Sequence, residues 1–384
     1  MRQGSTRRAG LHRGAHPHRA RPERSGHCAG VGVTPGDGTA VDRRGPRPAR
    51  PLSRPKILLG VAISIALLVY LFWSLDLAEL GRQLRATRWR WAAVATALTP
   101  LGLWARARRW RYLFPPRSDP PGLLPAVMIG YMANNLLPLR AGEVVRVYVV
   151  ARRWSAAGAD GTGRVFWTAL ATLIVERVLD SFAVVLMLGA LVLVVPVPAF
   201  LQVGALAVLA IDLVGIAVLI ALIGAPARCA RLIERLSARW PRLRQRALGV
   251  FETFVRGLDG IRAPSHALPI LAWTVIVWII PALAAWTMLV AMNLDVPWVA
   301  GWTVLAFVAL GISIPSAPGY VGVFHAAAAL AVGLFGVAQT AAVGYALVFH
   351  ASQVLPTVAL GWLYLLREQV SLGEATHARP PVQP

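Results

Sequence analysis

Nine apolar runs follow one another along this chain, at 57–73, 91–104, 123–139, 165–195, 200–223, 268–292, 298–314, 319–337 and 340–366. A helix needs about 20 apolar residues, roughly 17 to 25, to cross the hydrocarbon core of a bilayer, and most of the runs meet that length. Of all residues 57% are hydrophobic and 15% charged, where soluble domains carry about 25% charged. The expectation is an all-α, polytopic integral membrane helix bundle of the plasma (inner) membrane, with about seven or eight transmembrane helices and one or two re-entrant or broken helices. A formal charge of +22 would ordinarily suggest nucleic acid. Here the arginines fall between apolar runs, so no nucleic-acid partner is expected and the lipid bilayer is the expected surrounding. Trp and Tyr at the run ends (Trp73, Trp89, Trp91, Trp104, Trp110, Tyr112, Trp298) suit interfacial anchors.

Three stretches divide the chain. Residues 1–55 hold twelve Arg against three acids, many Gly, Pro and His, and no apolar period. They read as a disordered tail, either a polybasic arm for anionic lipid or in part a mis-assigned translation start. Residues 56–367 form the membrane domain, with a cytoplasmic helical excursion at 226–266 that reads either as a connector or as a surface helix on anionic lipid. Residues 368–384 are a polar tail. Cys28 and Cys229 lie far apart with no CxxC spacing, which excludes a disulfide scaffold and the usual structural zinc patterns. No HExxH, GxSxG or P-loop ending is present, and the Gly-rich 158–163 is a flexible loop. No metal, cofactor or catalytic residue is expected.

Charge sets orientation. Residues 105–121 carry five Arg against Asp119, 140–164 five Arg against Glu143 and Asp160, and 226–266 nine Arg against three acids. Loops 195–199 and 291–297 hold no basic residue. The positive-inside rule puts the first three in the cytoplasm. Segments 105–121 and 140–164 nevertheless flank one apolar run, 123–139, so that run is expected to turn back as a re-entrant hairpin.

Three constellations interrupt the apolar background. The first holds Asn134, Pro138, Arg140, Gly142, Glu143 and Arg146. Pro138 and Gly142 supply a helix break, and a broken helix offers unpaired N–H groups to an anionic head group. Arg140 and Arg146 would add phosphate contacts, and Glu143 and Arg146, at i and i+3, can pair. Removing Arg146 is expected to weaken transport without unfolding the protein. The second is Glu176, Arg177 and Asp180 inside one long apolar run, read either as a neutralised structural triad or as part of a polar pathway. The third holds Pro315, Pro318, Gly319 and Gly322, either a tight cytoplasmic turn or a second discontinuous helix. Breaks in both halves are the pattern of repeat-built transporters. His325 and His350 read as hydrogen-bonded packing residues.

At these residues the sequence resembles the flippase-like transmembrane domain of lysylphosphatidylglycerol synthases, over roughly 58–367. The resemblance rests on N-x3-P-x-R-x-G-E-x2-R from Asn134, E-R-x2-D from Glu176 and P-S-x-P-G-x2-G from Pro315, in that order. Full-length members flip aminoacylated phosphatidylglycerol and carry a cytoplasmic synthase domain. The chain stops soon after Arg367, so that domain, and with it aminoacyl transfer, is expected to be absent. The resemblance implies a lipid transporter and no enzyme, with a membrane phospholipid or a polyprenyl-phosphate lipid as partner. A membrane subunit of a lipid-modifying enzyme, working with a membrane-enzyme partner, and a non-transporting scaffold remain as alternatives, and a homo-oligomer is a further partner.

Overall fold

Short polar or proline-bearing joints cut the apolar sequence into helices. The computed structural model describes residues 54–73, 75–158, 162–314 and 316–368, and no strand occurs among them. Most of the Arg-rich tail, residues 159–161 of the Gly-rich loop, Pro315 and nearly all of the polar C-terminal tail lie outside the described residues.

The helices are α1 (Arg54–Phe72), α2 (Leu77–Ala86), α3 (Trp89–Leu113), α4 (Leu123–Leu136), α5 (Gly142–Ala156), α6 (Thr162–Val192), α7 (Ala199–Gly224), α8 (Pro226–Leu236), α9 (Pro241–Gly257), α10 (Asp259–Arg262), α11 (Pro264–Ala291), α12 (Val299–Gly311), α13 (Val323–Gly333) and α14 (Gln339–Glu368). A 3₁₀ turn joins α4 to α5 (Pro138–Arg140), and another precedes α13 (Pro318–Tyr320). Pro226, Pro241 and Pro264 begin α8, α9 and α11, positions where a missing N–H costs nothing. Asp76 caps α2 by accepting the N–H groups of Ala78 and Glu79 at 2.9 and 3.0 Å, as an N-cap carboxylate does.

One pattern occurs twice: a long helix, a short helix, a 3₁₀ turn, a second short helix and a long helix. The first set is α3, α4, α5 and α6, with 25, 14, 15 and 31 residues. The second is α11, α12, α13 and α14, with 28, 13, 11 and 30. The two leading helices pack against each other in opposite directions. At one end the Arg88 N–H, just before α3, donates to Ala291 O at the close of α11 (2.7 Å). At the other, His266 Nδ1 at the start of α11 meets Tyr112 O near the close of α3 (2.8 Å). The second set therefore runs inverted relative to the first.

Helices α7, α11 and α14 are long and apolar enough to cross a membrane, and Val61–Phe72 with Leu77–Ala86 forms an apolar pair bent by 88°. The membrane character read from composition therefore stands at this level. Helices α3 and α6 have the length but carry charges. Runs 298–314 and 319–337 hold only the shorter apolar helices α12 and α13. At 1.5 Å per residue α12 extends only about 20 Å against a core of about 30 Å, and α13 less. They are the two arms of a broken helix, as α4 and α5 are. Both arms of the first hairpin open at the same end, since Gly122, ahead of α4, lies against the Arg153 side chain in the last turn of α5.

The 226–266 stretch is helical throughout most of its length. It is docked as well as connecting, because α9 packs on α6 with Gly257 close against Ala171 and the Thr168 backbone.

Candidate functional site

The three charges in the middle of α6 do not face outward. Glu176 is fully buried, and four arginines from three helices gather around it and Asp180. Arg146, from α5, grips Glu176 through two contacts, Nη1 to Oε1 at 3.0 Å and Nη2 to Oε2 at 2.7 Å. Arg177 reaches Glu176 Oε1 at 2.8 Å, and also Asp180 and Glu143, each at 3.5 Å. From α3, Arg109 lies 2.7 Å from Asp180 and 3.5 Å from Glu176, while Arg106 lies 3.4 Å from Asp180. Three carboxylates thus face four guanidinium groups, an excess of one positive charge. Such charges are tolerated away from water only when paired in this way.

The geometry corrects two expectations. Glu143 and Arg146 do not pair along α5. Arg146 turns across to α6, where a two-pronged guanidinium–carboxylate contact beats a single exposed i,i+3 pair, and Glu143 faces Arg177 instead. Arg146 is also sealed in: its guanidinium sits 3.8 Å over the Trp110 ring and only 1% of the residue is exposed. Its removal would leave Glu176 with Arg177 and Arg109 but without its two-pronged partner, so a loss of stability is expected and not a loss of transport alone. The reading of Glu176, Arg177 and Asp180 as a self-neutralised triad is too narrow, since most of their partners come from α3 and α5.

Trp110, read above as an interfacial anchor, is instead fully buried and forms the floor of this cluster. Its Nε1–H donates to Thr172 Oγ1 at 2.9 Å, and its face carries Arg146. Trp110→Phe keeps an aromatic ring and removes that hydrogen bond and part of the cation–π attraction. A loss of about 1 to 3 kcal/mol is expected, read as a lower melting temperature in detergent. An unchanged melt would show that the indole does not brace the cluster.

The breaks lie beside this cluster. In the first, Pro138 opens the 3₁₀ turn and Arg140 takes a left-handed φ of 55°. Gly142 serves close packing more than flexibility: a Cβ there would strike Gly130 O and would come within 2.5 Å of Asn134 Oδ1. Asn134 is itself buried. Arg140, at the tip, is exposed and stands apart from the ion cluster, its guanidinium 5.9 Å from the Tyr320 ring of the second break.

In that second break Pro318 starts the turn, and Gly319 and Gly322 take φ of 71° and 86°, values that favour glycine. Three side chains hold the backbone. Ser64 Oγ accepts the Ala317 N–H (2.9 Å), His325 Nδ1 accepts the Gly322 N–H (3.2 Å), and His350 Nε2 bonds Gly319 O (2.8 Å). Both histidines are hydrogen-bonded packing residues, as read from the sequence. Ser64 lies halfway along α1 and His350 well inside α14, so the break sits within the bundle and is no turn at its end. The two breaks meet where Gly319 packs against Asn135 O.

A cavity of about 210 Å³ opens beside this meeting point, room for about seven waters at liquid density. Its polar wall includes Arg106, Tyr131, Asn135, Tyr320, His350 and Gln353, and the opposite wall, on α11 and α12, is apolar. Arg106 belongs to both the cluster and the cavity. Neither Arg106 nor Arg109 was singled out from the sequence, because arginines that follow an apolar run on an extended helix read as snorkelling to the head groups. Their i,i+3 spacing, the same as that of Arg177 and Asp180, was the available signal. Among the described residues no group of three or more His, Cys, Asp or Glu side chains could hold a metal ion.

A family model described as "Lysylphosphatidylglycerol synthase TM region" matches residues 57–361. No curated protein and no solved structure matches the chain.

Proposed function

The chain belongs to the lysylphosphatidylglycerol synthase TM-region family, and on that premise we propose that it moves a lipid with a negatively charged head group across the plasma membrane. The observation that carries the reading is the placement of Arg106. Its guanidinium joins a buried cluster with one excess positive charge to the cavity where two broken helices meet. An anionic head group entering there would find Arg106, the Tyr131 and Tyr320 hydroxyls and the Asn135 amide, with Arg140 at the tip of the first break. Glu143, Glu176, Arg177, Asp180 and Arg146 hold that arrangement and balance its charge, which makes them the supports of the pathway. Inverted repeats with discontinuous helices around a central site are the architecture through which alternating access works.

In this reading α1, α3, α6, α7, α11 and α14 cross the bilayer and the two hairpins re-enter from opposite faces. The Arg-rich joints at 105–121 and 226–266 then share the cytoplasmic side. The carboxylates beside the cavity, Glu176 and Asp180, are engaged by arginines, which favours transport over catalysis.

The test is reconstitution in liposomes with fluorescent anionic, zwitterionic and polyprenyl-phosphate lipids, following outer-leaflet exposure with an impermeant quencher. Exchange faster than in empty liposomes is expected for an anionic lipid. Arg106→Gln, which gives up a 3.4 Å contact with Asp180 and the approach of the guanidinium to the Tyr131 and Trp278 rings, is expected to slow it about tenfold, the loss of one charge-assisted contact, with monodisperse protein still obtained. Equal exchange with and without protein for every lipid would sink the reading.

A further inference from the structure

The central cavity has a neighbour on the other side of α14. A groove of about 710 Å³ runs between α3 and α14 on the outside of the bundle, lined by small and apolar residues including Ala93, Ala97, Pro100, Val348, Ala351 and Leu355. It is open to the exterior, with Leu355 68% exposed. The cavity takes the opposite face of α14, through His350, Gln353 and Thr357, and an adjoining face of α3, through Thr99, Gly102 and Arg106. One helix therefore separates an exterior apolar groove from an interior chamber that holds the Arg106 side chain.

That wall is weakened at one level. Pro100 lies inside α3 and Pro356 inside α14, and each removes an N–H from its helix ladder. The carbonyl that Pro356 leaves without its i+4 donor is that of Ser352. Thr99 Oγ1 donates to this carbonyl across the seam at 3.1 Å. The hydrogen bond that closes the α3–α14 seam is thus made to the backbone group that the proline freed, at mid-helix on both sides.

We propose that the α3–α14 groove holds an acyl chain of the lipid whose head group occupies the cavity, with the Thr99–Ser352 hydrogen bond as the latch of the seam between them. This rests on the transport reading above for the head group. The groove commits to an acyl chain because it is apolar, exterior and backed at the same level by a chamber holding a guanidinium, which matches the two halves of an amphiphile. A head group leaving the cavity must cross the seam if its chain stays in the groove, and the latch is the one hydrogen bond between α3 and α14 described there.

The experiment uses the full chain in liposomes containing phosphatidylglycerol with a diazirine in one acyl chain. After illumination, adducts are mapped by mass spectrometry. Adducts on 92–100 and 347–356 are expected to exceed those on the exterior of α7 (Val203, Leu206, Ile211 and Val218, all exposed), which reports ordinary surrounding lipid. Ala97→Trp fills the groove and is expected to abolish the excess while leaving the α7 adducts. No excess over α7, or an excess that survives Ala97→Trp, overturns the groove assignment, whether or not wild-type protein exchanges lipid. Thr99→Val removes the latch donor and is expected to raise the exchange rate about fivefold, the value of one net hydrogen bond. An unchanged or lower rate in a folded Thr99→Val protein that exchanges lipid overturns the latch.

Discussion

Glu176→Gln is expected to destabilise the fold strongly, although it changes one atom in a side chain with no exposed surface. Glu176 accepts both prongs of Arg146 and the Arg177 guanidinium at 2.8 Å, with Arg109 at 3.5 Å. A neutral amide keeps the shape, removes the counter-charge, and turns one end of the acceptor into a donor facing a donor. The local excess rises from one positive charge to two around a position with no exposed surface. Breaking one side of a buried pair costs about 3 to 5 kcal/mol, a large part of the 5 to 15 kcal/mol that holds an ordinary domain folded. The melting temperature in detergent should fall by about 5 °C, with a matching loss of monodisperse protein. Removing both members with apolar residues, in Arg146→Met/Glu176→Met, restores the wild-type charge balance. That double variant should recover at least half of the lost stability, because an uncompensated charge costs more than an absent pair. A single variant that melts with the wild type would mean that the cluster is not closed around Glu176.

The same cluster shows what the sequence could and could not disclose. Charge inside an apolar run is visible without coordinates, and so is the contradiction of two Arg-rich segments on either side of one apolar run. These located Glu176, Arg177, Asp180 and the first hairpin. Which arginine meets which carboxylate was not legible. Arg146 is three residues from Glu143 in the chain, but its partner lies thirty residues away on another helix, and only packing brings α5 against α6. Arg109 was hidden for a related reason: an arginine at the end of an apolar run reads as snorkelling to a head group unless a buried carboxylate is known to lie beside it. The apolar runs at 298–314 and 319–337 did not disclose that their helices are short arms on either side of a break. Hydropathy measures how much water a segment avoids, and an arm of a broken helix buried in protein avoids it as thoroughly as a helix in lipid. The prolines at 100 and 356 were similarly silent, since their effect depends on what faces the carbonyl each one frees.

Gly142→Ala should reverse the sign that helix propensity alone assigns. Alanine is favoured over glycine by about 1 kcal/mol within a helix, and Gly189→Ala in α6, with nothing within 4 Å of the added carbon, should follow that rule and raise the melting temperature. At Gly142 the added carbon would meet Gly130 O, Asn134 Oδ1 at 2.5 Å and Asn134 N at 2.7 Å. Two of these atoms are backbone and cannot swing aside, so the helices themselves must separate. The contact is reciprocal, since a carbon added at Gly130 would come within 3.0 Å of Gly142 O and 2.8 Å of the Arg146 Cβ. This pair of glycines therefore sets the distance between α4 and α5, and with it the point from which Arg146 reaches Glu176. Overpacking of this kind costs about 1 to 3 kcal/mol before any ion pair is lost, and displacement of Arg146 adds to it. The expected result is a melting temperature below wild type for Gly142→Ala beside one above wild type for Gly189→Ala. Equal gains at both sites would show that α4 and α5 do not approach this closely. The buried pair would then lack the support that the two glycines give it.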